Sequence, residues 1–181
     1  MSVPNEQIVT AGAQEAAAAL QRLLRVPVSA DTVVALDVAQ LASTHGPRAV
    51  VIAFDTSGGV TGTLALVIDD AVAAWLAGRL TGAVTLDGAI GKGALAALAE
   101  LGNIVASAFL NGAARVVGRT CLPSVPRLLH AATAEALTAA SSSSTSASTS
   151  ASKGAAAASG STLRVATLRV QQQWFSVVFS G

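Results

Sequence analysis

The sequence predicts an α+β fold, with one antiparallel sheet packed against long helices. Segments with apolar residues at helical spacing alternate with short runs of β-branched residues, as this class requires. Hydrophobic residues make up 52% of the 181 positions and charged residues only 12%, which is the opposite of a disordered composition. The order of helix, strands and helix, followed by helix, loop, helix and strands, predicts two related halves around one sheet.

The first half contains a predicted helix at its start and another at its end. Apolar residues at helical spacing predict a helix over 5–25, which Pro27 brings to its end. Asp69 and Asp70 are expected to cap a second helix over 71–80. Between the two helices lie a β-rich segment, in which Val34, Leu36 and Val38 alternate, and two apolar strands joined by a hairpin connection. These predicted elements span 32–40 for the β-rich segment, 49–54 and 60–68 for the strands, and 55–59 for the connection.

The second half begins with a long apolar helix predicted over 93–114. A segment with Pro123 and Pro126 follows, and then a shorter helix predicted over 128–139. The last two apolar runs, 163–170 and 174–179, have strand character.

The domain organisation follows from a change in composition. Residues 141–161 are almost entirely Ser, Ala and Thr, a composition that predicts a flexible linker. We therefore expect one domain over 1–140, built from halves of about 1–85 and 86–140. Residues 162–181 are expected to rejoin it as terminal strands.

Charge and residue usage exclude several classes of function. A net charge of +1 with six Phe and Trp residues offers neither the basic stripe nor the stacking surface of a nucleic-acid-binding protein. One Cys and two His exclude a disulfide framework and an ordinary His/Cys zinc site, and they fit a reducing cytoplasm. We therefore expect no bound metal, and we interpret His45, His130 and Cys121 as structural or surface residues.

The segment Gly93–Gly118 is the most membrane-like in a chain whose mean hydropathy is +0.60. It nevertheless carries Glu100 and Arg115, and ionisable groups are costly within lipid. A buried amphipathic helix explains the segment better than membrane insertion. The N-terminus also lacks the basic and apolar regions of a signal peptide.

The most conspicuous polar residues of the long helix are Glu100 and Asn103. Helical spacing places them on one stripe with Ala96 and Ser107, while the opposite face is apolar. Gly102 lies between them, although glycine costs a helix about 1 kcal/mol relative to Ala. From spacing alone, the pair is either an ordinary solvated face or a functional site.

The segment Ala99–Val105 resembles the Glu-[Ile/Leu]-Gly-Asn-Ile signature of the CheC/CheX/FliY family. The family motif is (Asp or Ser)-x3-Glu-x2-Asn-x22-Pro. Glu100 and Asn103 match it, and Pro126 lies at the proline position. Ala96 departs from the motif, because it stands where the family has Asp or Ser.

The first helix is also similar to the family, through its Ala-rich run and its closing leucines. Gln7 and Thr10 occupy the Glu and Asn positions of a first copy of the motif, and its proline position falls on Val33. The resemblance therefore implies a degenerate first site and one surviving site at Glu100 and Asn103.

The resemblance implies a CheC-like pseudo-twofold fold and a cytoplasmic chemotaxis phosphatase. Its partner would be a phosphorylated CheY-type response regulator, and a CheD-like deamidase is a further possible partner. Asn103 would orient the attacking water, and Glu100 would pair with a lysine of the receiver. The protein would need no cofactor of its own, since the receiver holds Mg²⁺. The alternative is a weakened or inactive relative that acts as a binding or scaffold protein, or as a component of the flagellar switch.

Overall fold

The structure is a computed structural model that describes residues 4–82, 90–142 and 162–181. These residues form five helices and an eight-stranded sheet. The first half consists of α1 Asn5–Leu24, β1 Val28–Ala30, β2 Val34–Leu36, α2 Val38–Thr44, β3 Arg48–Gly58, β4 Gly62–Asp69 and α3 Asp70–Thr81. The second half consists of α4 Lys92–Val117, β5 Cys121–Pro123, β6 Arg127–Ala132, α5 Thr133–Ser142, β7 Leu163–Val170 and β8 Gln173–Ser180.

The two halves exchange their short strands across the antiparallel sheet. The strand order is β1-β7-β8-β4-β3-β5, with β2 also on β7 and β6 also on β3. The short strands of the first half thus pair with a long strand of the second half, and the reverse is also true. At the centre, β4 pairs with β8 and joins the halves. Helices on both faces bury the sheet, and the predicted α+β class is confirmed.

Two apolar clusters lie on opposite faces of the sheet. Alternation along β3 directs Ile52 and Phe54 towards the cluster that contains α1, α3 and α4. It directs Val51 and Ala53 towards the smaller cluster beneath α2 and α5. Strand β3 is therefore apolar over most of its length because both of its faces are buried.

Helices α1 and α4 are equivalent elements of the repeat. They end at Arg25 and Gly118, which are 93 positions apart and both adopt left-handed backbone conformations. The same offset relates eight pairs of buried positions in the two helices. These pairs are Ile8 and Leu101, Val9 and Gly102, Gly12 and Val105, Ala13 and Ala106, Ala16 and Phe109, Ala17 and Leu110, Ala19 and Gly112, and Leu20 and Ala113.

The repeat continues into the short strands, each pair of which is interrupted by a bulge. Between β5 and β6, residues 124–126 face only residues 54–55 of β3, so the register shifts by one residue. Between β1 and β2, residues 31–33 face residues 166–167 of β7 in the same way. Val33 therefore occupies the place in the first half that Pro126 occupies in the second.

Two predicted boundaries in the first half are wrong, and one strand was missed. Val38 begins α2 instead of continuing a strand, because Asp37 and Gln40 form a capping box, with Gln40 N donating to Asp37 Oδ1 at 2.7 Å. The predicted 55–59 connection is also wrong, because β3 continues to Gly58 through pairing with β4 and β5. Strand β1 was not predicted, and the turn between β3 and β4 comprises residues 59–61.

Two corrections apply to the second half. Residues 128–132 lie in β6, since pairing with β3 overrides their helical pattern, and α5 begins only at Thr133. Ser141 and Ser142 close α5, so they do not belong to the predicted 141–161 linker. The rest of that prediction, over 143–161, lies outside the described residues.

Candidate functional site

Helix α4 presents Glu100 and Asn103 from the middle of a rigid element. Its inner face is buried, as predicted, with Leu98, Leu101 and Val105 each at 1% exposure or less. Glu100 is exposed and Asn103 is half-buried. Neither side chain has a hydrogen-bond partner among the described residues, so both are available to a partner molecule.

Gly102 brings this part of α4 close to the sheet. A Cβ atom at this position would lie 2.9 Å from Ile52 Cγ2 and 3.2 Å from Ile52 Cδ1. The glycine thus allows a close backbone approach that other residues would prevent. Close packing against Ile52 therefore explains why glycine, which is unfavourable in a helix, lies between Glu100 and Asn103.

Hydrogen bonds to β3 hold the bulge that contains Pro126. Ser124 N donates to the Asp55 carbonyl oxygen at 2.8 Å, and Asp55 N donates to Ser124 Oγ at 2.9 Å. Arg127 Nη2 donates to Asp55 Oδ1 at 3.3 Å from the other side of the proline. The two Ser124 contacts hold the bulge against the backbone of β3, and the Arg127 side chain adds an ion pair to Asp55.

Pro126 lies beside the segment of β3 that α4 also approaches. It immediately precedes β6, in the bulge whose residues 124–126 lie opposite residues 54–55 of β3. Phe54 Cζ lies 3.5 Å from the Cβ position of Gly102. Leu128, two residues beyond Pro126, pairs with Ile52 and packs with the cluster that contains α4. Two parts of the motif that are distant in sequence therefore lie along the same segment of β3.

Ala96 is exposed on the outward stripe of α4, one turn before Glu100. Its methyl group offers neither the hydroxyl nor the carboxylate of the family motif. Ala96 therefore lies on the same face of α4 as Glu100, but it lacks the polar group of the motif.

In the first half, Gln7 and Thr10 are both exposed on α1, at the positions equivalent to Glu100 and Asn103. Thr10 Oγ1 donates to the Glu6 carbonyl oxygen at 2.8 Å within the helix. The Glu position therefore lacks a carboxylate, and the Asn position lacks a carboxamide. The local backbone resembles the second site, but its side chains do not.

Sequence reasoning missed a buried hydrogen-bonded group around His45. Its side chain is fully buried, with Nδ1 2.7 Å from Asp69 Oδ1 and Nε2 2.9 Å from Ser176 Oγ. Ser176 is only 2% exposed within β8, so this Asp-His-Ser group cannot meet a substrate and is structural. Asp69 binds His45 and Gly46 N, so its side chain makes no capping bond to α3, contrary to the prediction.

The remaining His and Cys residues have structural contacts. His130 lies on β6, with Nε2 3.0 Å from Asp70 Oδ1. Cys121 is buried, and its thiol donates to the Arg119 carbonyl oxygen at 3.5 Å. In the described part of the chain, no group of three or more His, Cys, Asp or Glu side chains is arranged to hold a metal ion.

Helix α4 is long and apolar enough to cross a membrane by length and composition, and it is the one such helix among the residues described. Here it packs against α1 and α3 and over the sheet. Its apolar residues thus form part of the protein core, as expected for an amphipathic helix.

The fold and the placement of the motif define a two-half α+β domain with a Glu-Asn pair on its second long helix. The family model for the CheC-like family matches residues 94–130, which include Glu100, Asn103 and Pro126. The chain also has the fold of FliY from Thermotoga maritima, with 16% identity, a TM-score of 0.69 and coverage of 100% of this chain and 92% of that one. The resemblance to the CheC/CheX/FliY family is confirmed.

Two further solved structures share the fold. One is CheX of Borrelia burgdorferi in complex with CheY, BeF₃ and Mg²⁺, at 14% identity, a TM-score of 0.62 and 97% coverage of both chains. The other is the FliM middle domain of a Vibrio species, at 12% identity, a TM-score of 0.60 and coverage of 98% of this chain and 92% of that one. No curated protein sequence matches the chain significantly.

Proposed function

We propose that this protein is a phosphatase for the aspartyl phosphate of a CheY-type response regulator. The observation that carries the proposal is the pair Glu100 and Asn103 on α4, neither of which has a hydrogen-bond partner among the described residues. Gly102 and Pro126 lie along the same segment of β3. The shared fold with a CheX protein solved in complex with CheY supports a receiver as the partner.

The chemistry needs little from this chain beyond positioning. Water attacks the phosphorus atom, the bond between phosphorus and the aspartyl oxygen breaks, and inorganic phosphate leaves a free aspartate on the receiver. A carboxamide both donates and accepts hydrogen bonds, so Asn103 orients this water. Glu100 pairs with a receiver lysine and thereby fixes the orientation of docking.

The Mg²⁺ in this reaction belongs to the receiver, and the chain contributes no cofactor. Because α4 is rigid, it holds both side chains better than a loop would. Ala96 removes one polar group of the family motif, and we expect a lower rate than a relative with Asp or Ser there. A cytoplasmic location follows from the proposed partner.

The proposal is tested by adding the purified protein to a phosphorylated cognate receiver and following the loss of phosphate. We expect the wild-type protein to accelerate this loss, and Asn103→Ala to reduce the acceleration about 100-fold, because the water is no longer positioned. Ser107→Ala is the matched control, since Ser107 is exposed on the same stripe one turn further along α4. No acceleration by wild type, or full activity of Asn103→Ala, would refute the proposal.

A binding or scaffold function is the second candidate. Ala96, Gln7 and Thr10 favour it, because three motif positions have lost their chemistry. The fold shared with the FliM middle domain also fits a component of the flagellar switch. Binding of a receiver or a CheD-like deamidase, with no effect on receiver phosphate, would support this candidate over the phosphatase.

A further inference from the structure

A cleft of about 330 Å³ lies between α3 and the turn that joins β7 to β8. It is lined by Trp75 and by the three consecutive glutamines at 171–173, and we call it the Trp75 cleft. Its volume is at the lower end of the range for ligand sites, so it suits one or two side chains better than a cofactor. None of its lining residues belongs to α4, which carries the Glu100–Asn103 pair.

Trp75 forms the apolar wall of the cleft. Its side chain is half-buried and packs partly against the core cluster that contains α3. The rest of the indole faces the cleft. Tryptophan is among the residue types that contribute most binding energy at protein interfaces. The chain has two Trp residues, and the other, Trp174, stacks against His45 instead.

Arg79 brings a positive charge to this tryptophan. It follows Trp75 by one turn of α3, and its guanidinium carbon lies 5.7 Å from the centroid of the indole ring. Arg79 is exposed and has no ion-pair partner among the described residues. No acidic residue lines the cleft. A guanidinium held over an indole without a neighbouring acid is suited to bind a carboxylate.

The three glutamines supply hydrogen-bonding groups to the cleft. Gln171 and Gln172 are exposed and Gln173 is half-buried, and none of their carboxamides has a partner within the described part of the chain. A carboxamide donates through its NH₂ group and accepts through its oxygen. These side chains can therefore bind both the N–H and the carbonyl groups of an extended peptide.

The backbone at Gln171 favours a role for its side chain. Val170 pairs with Gln173, so Gln171 and Gln172 form a two-residue hairpin turn. Gln171 has a φ of 57°, a conformation for which such turns prefer glycine or asparagine. The chain thus keeps a long side chain where glycine would relieve the backbone. Residues held in disfavoured conformations are concentrated at functional sites.

We propose that the Trp75 cleft binds an acidic segment of a partner protein. A carboxylate of the segment would pair with Arg79, and an adjacent apolar side chain would pack against Trp75. The glutamine carboxamides would bind the backbone of the segment. The unpaired cation beside an apolar wall favours this occupant by charge complementarity. The inference goes beyond the proposed phosphatase function, because it uses no residue of α4.

The test titrates the isotope-labelled full-length protein with the peptide acetyl-Leu-Asp-Glu-Leu-amide and follows the NMR spectrum. We expect saturable shifts of the Trp75 indole N–H signal and of the carboxamide signals of residues 171–173. The Kd should be about 1 mM, since a short flexible peptide loses freedom on binding. The uncharged peptide acetyl-Leu-Asn-Gln-Leu-amide should bind at least about tenfold more weakly, because it provides no carboxylate for Arg79.

Two variants separate binding from stability. Arg79→Gln should weaken binding of the acidic peptide at least about tenfold. Arg119→Gln is the matched control, since Arg119 is also exposed but lies beside Gly59, at the turn between β3 and β4. Gln171→Gly should weaken binding about threefold, as the loss of one hydrogen bond does. It should nevertheless unfold at an equal or higher temperature, because glycine suits the turn.

Several outcomes would overturn the proposal. These are no binding of the acidic peptide, equal binding of the two peptides, wild-type Kd in Arg79→Gln, or an equal loss in Arg119→Gln. Inorganic phosphate that causes the same shifts at the same concentrations would overturn it as well, because the cleft would then be a general anion site. None of these measurements uses a receiver, so the phosphatase proposal is decided separately.

Discussion

Gly102 lies between Glu100 and Asn103 and faces the sheet. Ile52, the residue it contacts, is fully buried in β3 and is branched at Cβ, so it has few alternative rotamers. The position of the Glu-Asn pair above the sheet therefore depends on the absence of a single methyl group.

We expect Gly102→Ala to destabilise the protein by about 1–2 kcal/mol net, because overpacking costs more than the gain in helix propensity. Urea unfolding measures this difference. Gly93→Ala is the control, since a Cβ atom there meets nothing within 4 Å. That variant should gain up to about 1 kcal/mol. A gain in both variants would contradict the packing role of Gly102.

Helices α1 and α4 pack against each other at glycines on both sides. A Cβ atom on Gly12 would lie 2.6 Å from Phe109 Cδ2, and one on Gly112 would clash with the Ala11 carbonyl oxygen. The two helices are thus held in close contact, and the first motif copy occupies a backbone as well supported as the second. Only its side chains distinguish it chemically.

This similarity predicts a gain of function. In an Asn103→Ala background, Gln7→Glu with Thr10→Asn should restore measurable acceleration of receiver phosphate loss, because a carboxylate and a carboxamide then occupy the equivalent helix face. We expect no more than about one-tenth of the wild-type rate, since the residues around the α1 face are not arranged to support this pair. The same assay as for the α4 site measures it.

The control for this variant is Asn103→Ala with Gln7→Glu alone, which supplies no amide to position water. Equal activity of the two variants would show that the α1 face is not a latent site.

At the scale of the whole molecule, His45 connects the two halves. Asp69 ends β4 of the first half, and Ser176 lies in β8 of the second. The buried imidazole binds both, and its ring lies 4.9 Å from that of Trp174. It therefore stabilises the central seam of the sheet.

We expect His45→Ala to lower the free energy of unfolding by about 2–4 kcal/mol, because it leaves a cavity and an unpaired buried hydroxyl. His130→Ala should cost only about 1 kcal/mol, since the His130 side chain is 22% exposed and Asp70 retains Arg48. Urea unfolding of both variants tests this, and an equal loss would contradict the special role of His45.

The sequence predicts the long helices and the terminal strands because their local patterns match the structure they adopt in the fold. The outward stripe of α4 with Glu100 and Asn103 could be predicted for the same reason. Residues 128–132 could not, since their apolar pattern suits a helix and only pairing with β3 makes them a strand. His45 contacts Asp69, which is 24 residues away in the sequence, and Ser176, which is 131 residues away. No local sequence pattern indicates contacts between such distant residues. The bulge at residues 124–126 was hidden for the same reason, because it is defined by the register with a distant strand.

The exchange of short strands between the halves has a consequence for how the chain is made. When the first half has left the ribosome, β1 and β2 still lack β7, and β4 lacks β8, so the sheet has unpaired edges. These pairings span most of the chain, and such distant contacts form slowly. The sheet of the nascent first half therefore stays incomplete, with exposed strand edges, until β7 and β8 are synthesised. A chaperone that shields those edges during synthesis would protect this protein from aggregation.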